Sequence, residues 1–316
     1  MVSRLSVLSV VGTRITCLPF SLFEMRLPYA ARKSLPVTHH SGRIIVVHEH
    51  QNLPNINRLS VLISTILLAY AVTPLVNVSE REIGIQLFGI SFTYDVDLSL
   101  PVSLLVAVMA AVGTDWLLRE HPNLENQSTV QHWMIPALTT LVIAIPLNTL
   151  KIGVEWWAVF AFGGMLLVSV LLAEYVVVDL SNELHAPATV GLTSVSFALY
   201  LVMAIAVRAA ELRLYIMLPT VFAICFLVVL RTLYLRLGGK WQPGWAVGCA
   251  LLVSQLAMGL HYLPASPVSF GLVLLGAAYA LTAFATAVEE QRPANRIWIE
   301  PAVMLVIFWA MALILR

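Results

Sequence analysis

"VEWWAVFAFGGMLLVSVLLAEYVV" (154–177) is the stretch on which the fold turns. Between Glu155 and Glu174 lie eighteen residues without a charge. A helix needs roughly 20 mostly apolar residues to cross the hydrocarbon core of a bilayer, so this segment reads as a membrane span. Eight more stretches approach that length: about 59–77, 99–118, 133–150, 188–208, 213–235, 243–263, 267–287 and 298–315. The one at 133–150 holds Pro136 and Pro146, and without it the count falls to eight. The expected fold is therefore an all-α membrane protein, a polytopic bundle of eight to nine transmembrane helices.

Composition agrees. The 316 residues are 59% hydrophobic and 11% charged, with a mean hydropathy of +0.88. A soluble domain carries about a quarter charged residues, so this chain lacks the polar surface to cover a globule in water. A net charge of +1 and a pI near 7.8 give no electrostatic case for nucleic acid. Cys17, Cys225 and Cys249 are too far apart for a disulfide framework or a CxxC metal site.

Orientation follows from Lys and Arg in the short loops. With the N-terminus inside, the inner side holds Arg58, Arg119, Arg231, Arg236, Lys240, Arg292 and Arg296. The outer side holds Arg81, Lys151, Arg208, Arg213 and Arg316. The bias is modest and favours N-in, C-out.

Outside the spans, "EIGIQLFGISFTYDVDL" (82–98) alternates apolar and polar residues with the period of a strand. With Phe88 and Gly89 as a two-residue turn, Leu87 would face Ile90, Ile85 Phe92 and Ile83 Tyr94, giving an outer-side hairpin with one apolar face. Gly89 suits a primed turn and Phe88 does not. A plug or lid without chemistry is favoured over a substrate gate. Residues 1–58 hold seven Lys/Arg against Glu24 and Glu49, with many serines and no apolar run of spanning length. They read as a basic N-terminal tail, as a transit-peptide composition, or as an over-long start before a domain at 59–316. "HEHQN" (48–52), with His39 and His40, lacks the further ligands a metal site needs.

A charge at the bilayer centre costs about 2.5–3.5 kcal/mol even on the gentler scale, and this chain places almost none there. The inner helix ends are richer: Asp115, Arg119 and His121 on the second span, His132 opening the third, Glu174 and Asp179 closing the fourth, Arg231 and Arg236 closing the sixth, and Glu300 opening the ninth. Glu174 is the deepest and should need a partner, with Arg119, Arg231 or Arg236 as candidates. Asp115 and Arg119, four apart, can pair locally. Two readings compete for this set. One is ion-paired helix ends that fix register and topology, which is favoured. The other is an inner-leaflet pocket for an anionic head group or phosphorylated ligand, bound through the arginines. No HExxH, GxSxG or P-loop pattern supports enzyme chemistry, and no cofactor or metal is implied.

Trp133, Trp156, Trp157, Trp245 and Trp298 sit near span ends, as an aromatic belt would require, and His261 reads as an interfacial histidine. Gly244 and Gly248 have GxxxG spacing and Gly276 and Ala280 repeat it, faces expected to pack within the chain. Gly163–Gly164 and Pro219 are candidate kinks or breaks.

The membrane part, about 59–316, resembles a family of uncharacterised bacterial polytopic membrane proteins, a domain of unknown function. "GTDWLLREHP" (113–122), "HWMIPALT" (132–139), "AEYVVVD" (173–179), "LYLRLGGKW" (233–241), "HYLPASPVSFGL" (261–272) and the "EP" at 300–301 carry the resemblance. It implies a bacterial source and a plasma-membrane address. It supplies no activity, substrate or catalytic residue. The functional expectation is a non-catalytic structural or accessory subunit of a membrane assembly, with membrane lipids and other membrane subunits as partners. A transporter or anionic-lipid-binding protein is the alternative, and a membrane-embedded enzyme the least supported.

Overall fold

A computed structural model describes residues 54–75, 81–87, 90–96, 99–119, 129–179 and 183–315. The basic segment up to residue 53, with its histidines, lies outside the described residues, as does His121. In chain order the elements are α1 (Ile56–Val72) with a 3-10 turn at Thr73–Leu75, β1 (Arg81–Leu87), β2 (Ile90–Val96), α2 (Ser99–Leu118), α3 (Val130–Thr149), α4 (Val154–Val177), α5 (His185–Ala209), α6 (Leu214–Arg236), α7 (Pro243–His261), α8 (Pro267–Glu289), α9 (Ala294–Ile297) and α10 (Ile299–Ile314).

Seven of these, α2 to α8, are long and apolar enough to cross a membrane, while α1 and α10 are shorter apolar helices. The chain is a multi-pass membrane protein built on helices. Span ends follow local chemistry. Asn55 starts α1 by accepting the Asn57 amide at 3.1 Å, three residues before the expected start at 59. Thr73 keeps helical backbone angles and closes on the Ala69 carbonyl, and the chain then tightens into the 3-10 turn, so the α-helix stops short of the expected 77. Ser266 caps α8 at the Ser269 amide, with Pro267 in the first-turn position that needs no partner. Gly238, at φ +63°, lets the chain leave α6, and the Gly239 amide closes on the Tyr234 carbonyl at 2.9 Å.

The stretch with two prolines is a single helix. Pro136 and Pro146 both lie inside α3, and 61% of its span window is buried. The Tyr70 hydroxyl of α1 donates to the Thr140 carbonyl at 2.7 Å between the two prolines, tying α3 to α1. The eight-span alternative therefore loses its basis. Gly163–Gly164 and Pro219 do not break their helices either. Both α4 and α6 run through them. A Cβ on Gly163 would lie 2.8 Å from Ile143 Cγ2, and one on Gly113 would run into Leu62. These glycines let helices approach closely, the main packing device where lipid is as apolar as the interface.

Two apolar cores result. One joins α1–α4 through residues such as Leu62, Ile66, Val106, Ile143 and Leu167. The larger joins α3–α8 through Val170, Leu192, Val228, Val253 and Leu274. Cys225 and Cys249 are buried in it as free thiols. The helices α3, α6 and α8 are the most enclosed, with 61%, 56% and 67% of their span windows buried.

Between α1 and α2, the backbones of β1 and β2 pair antiparallel, Leu87 opposite Ile90, Ile85 opposite Phe92 and Ile83 opposite Tyr94. The turn at Phe88–Gly89 and every side chain of this segment lie outside the described residues. Among the described residues the packing rests on the helices, and the expected hairpin with an apolar face is not borne out. The tryptophans divide. Trp157 and Trp298 are exposed, as belt residues are, but Trp156 is 2% exposed and donates to the Leu147 carbonyl at 3.1 Å. It is a core residue tying α4 to α3.

Candidate functional site: a buried charged triad

On α4 the residues Leu167, Val170, Leu171, Glu174 and Val177 are all buried, and their spacing of three and four places them on one face. Glu174 thus continues an apolar stripe into the bundle. On α6 the stripe Cys225, Val228, Arg231, Thr232 and Leu235 does the same with a guanidinium. His132 enters from the first turn of α3, whose amide closes on the Thr129 carbonyl at 2.9 Å. The three side chains lie about 3, 4.5 and 7.5 Å inside their helix ends (His132, Glu174, Arg231) at 1.5 Å per residue, all within the terminal two turns.

They meet. His132 Nδ1 is 2.7 Å from Glu174 Oε2, Arg231 Nη2 donates to the same oxygen, and Arg231 Nη2 is 3.3 Å from His132 Nδ1. Relative exposures are 4% for His132, 0% for Glu174 and 1% for Arg231. Because a carboxylate only accepts, the 2.7 Å contact calls for a proton on Nδ1 of His132. The Arg231 guanidinium also lies over the Tyr234 ring, 5.5 Å from its centroid. A carboxylate and a guanidinium in a low-dielectric interior are tolerable only together. Three of their buried atoms remain unpartnered among the described residues: Glu174 Oε1, Arg231 Nε and Arg231 Nη1.

The nine residues expected at one inner-face cluster separate into groups. Asp115 pairs with Arg119 at 2.8 Å on the surface of α2, with Arg119 71% exposed, and takes the Thr129 hydroxyl at the start of α3. Arg236 and Glu300 approach to 3.9 Å at a rim where Arg292 reaches Glu300 at 3.4 Å and Tyr279 donates to it at 3.3 Å. Asp179 is buried past the end of α4 and has a contact of its own. Of the three candidate partners for Glu174, Arg231 holds it, while Arg119 pairs with Asp115 and Arg236 stands 3.9 Å from Glu300. Thr129 and Tyr279 were not singled out from sequence, and Arg292 only as one of the inner-side charges. The position of Arg292 just past an apolar run was the available signal. On the opposite face Arg208 donates to the carbonyls of His261 and Leu263 at 3.3 and 3.2 Å, tying the end of α5 to the α7–α8 connection.

Seven long apolar helices and a sealed charge cluster at one set of helix ends define a multi-pass integral membrane protein with a polar interior seam. Residues 78–315 match the family described as protein of unknown function (DUF5656), and the chain belongs to that family. No curated protein and no solved structure matches it.

Proposed function

We propose that the protein is a non-catalytic structural or accessory subunit of a membrane assembly. The observation that carries this reading is the closure of the Glu174–Arg231–His132 triad. Its deepest charges are spent on one another, at 0% and 1% exposure, which suits a clamp on α3, α4 and α6. A face for a partner helix is available on α7. Gly244 and Gly248 were expected to pack within the chain, but a Cβ on either would meet nothing within 4 Å, so their GxxxG spacing looks outward. Gentle purification and native mass spectrometry test the reading. A stoichiometric partner protein is the expected result, and a chain that never carries one overturns it.

One observation favours a second reading, an anionic-ligand site. The orphaned Arg231 Nε and Nη1 call for an acceptor, which a small anion or a water would supply. Titration with inorganic phosphate separates the two: a ligand site gains thermal stability as phosphate is added, whereas a clamp does not.

In this reading α1 and α10 also span, giving nine crossings with the N-terminus inside and the C-terminus outside a plasma membrane. The triad then lies at the inner leaflet. The basic segment ahead of α1 is a tail before the domain. Lipids and other membrane subunits are the partners, and no nucleic acid is involved.

A further inference from the structure

We propose that a groove beside α5, α8 and α10 holds one anionic phospholipid, clamped at its head group by Arg236. The groove encloses about 500 Å³ and is separate from the triad, none of whose residues line it. Its walls change character along their length. Thr189, Thr193 and Arg236 line one end, and Phe197, Leu201, Leu275 and Phe308 line the rest. Thr189 stands in the second turn of α5 and Arg236 closes α6, so the polar end lies at the helix ends. From Thr189 to Leu201 is about 18 Å along the helix, slightly more than one leaflet of a roughly 30 Å core. A site polar at the interface and apolar toward the midplane, one leaflet long, has the polarity of a lipid.

The charge is placed for a phosphodiester. Among the described residues the charged partner of Arg236 is Glu300, at 3.9 Å, beyond hydrogen-bond length. Tyr279 lies under the guanidinium, 5.4 Å from centroid to Cζ, and fixes its plane while leaving its donors unused. The hydroxyls of Thr189 and Ser194 donate to carbonyls of their own helix at 2.9 Å, so they form wall and leave recognition to Arg236. The fork of a guanidinium matches phosphate oxygens two at a time. No carboxylate lines the groove. The nearest, Glu300, is held by Arg292 at 3.4 Å and by the Tyr279 hydroxyl at 3.3 Å. An ammonium of a zwitterionic head group would therefore meet Arg236 while that carboxylate is already engaged, and a net negative lipid is preferred.

Native mass spectrometry of the full chain in mild detergent, exposed to dioleoyl phosphatidylglycerol or dioleoyl phosphatidylcholine, tests this. The expected result is one retained phosphatidylglycerol and much weaker retention of phosphatidylcholine. Arg236→Gln should weaken retention about tenfold, as loss of a charge-assisted hydrogen bond does, and Arg236→Lys by less. Ala198→Trp, from an exposed position in the groove wall, should block binding while leaving the melting point and every charge in place. Equal retention of the two lipids overturns the proposal. So does undiminished phosphatidylglycerol on a folded Ala198→Trp chain.

Discussion

Replacing Glu174 by Gln removes the negative member of the triad while keeping its shape. Arg231, at 1% exposure, is then a buried cation facing a His132 whose Nδ1 proton has lost its carboxylate. Gln can still accept one hydrogen bond, so the loss is chiefly the counter-charge. Breaking a buried pair from one side costs about 3–5 kcal/mol, because the surviving charge is uncompensated. Stability measured by denaturant titration in mixed micelles should fall by that amount. The same reasoning gives a second variant the opposite outcome. With Glu174→Leu and Arg231→Met together, no charge is stranded, and apolar replacement of a buried pair is often neutral or stabilising by about 1–4 kcal/mol. The double variant should therefore be markedly more stable than Glu174→Gln. Two results would refute the reasoning: a Glu174→Gln chain as stable as the parent, or a double variant that is the least stable of the three.

Arg119→Gln should shift stability by no more than about 0.5 kcal/mol, since the Asp115 pair is an exposed i,i+4 bridge; a loss comparable to that of Glu174→Gln would place Arg119 in the buried network. Gly163→Ala must displace Ile143 from a 2.8 Å contact and should cost about 1–3 kcal/mol, whereas Gly248→Ala, which meets nothing, should leave the isolated chain unchanged. If the two alanines melt alike, close approach of α4 and α3 is not what Gly163 provides. Cysteines introduced at Asn126 and Thr93 should label from opposite sides of the membrane, and labelling from one side breaks the proposed topology.

Hydropathy made the spans legible, and the bounds of α2 and α4 agree with it to the residue. It also found α3, which runs as one helix through Pro136 and Pro146, the two residues that leave a count of eight open. It placed Trp156 at the interface by its position near a helix end, where helix phase points it inward. The need of Glu174 for a cation could be read from its depth. Which cation could not, because Arg231, Arg236 and Arg119 are equivalent until the helices have neighbours. The buried stripes of α4 and α6, which carry Glu174 and Arg231 inward, make the choice once the helices pack. The spread of the other charges into a surface bridge and a rim network followed from rotation about each helix axis, which an all-round apolar segment does not encode.

The triad also sets an order of events during synthesis. His132 and Glu174 are 42 residues apart, and Arg231 follows Glu174 by 57 more. At roughly 5–20 residues per second, a nascent chain carries Glu174 without its arginine for about 3 to 11 s. Through that interval the first helices hold an acid whose counter-ion has yet to be made. The arrival of α6 therefore acts as a late keystone, and a ribosome stalled before Arg231 should leave behind an opening half that quality control can recognise by its unpaired acid.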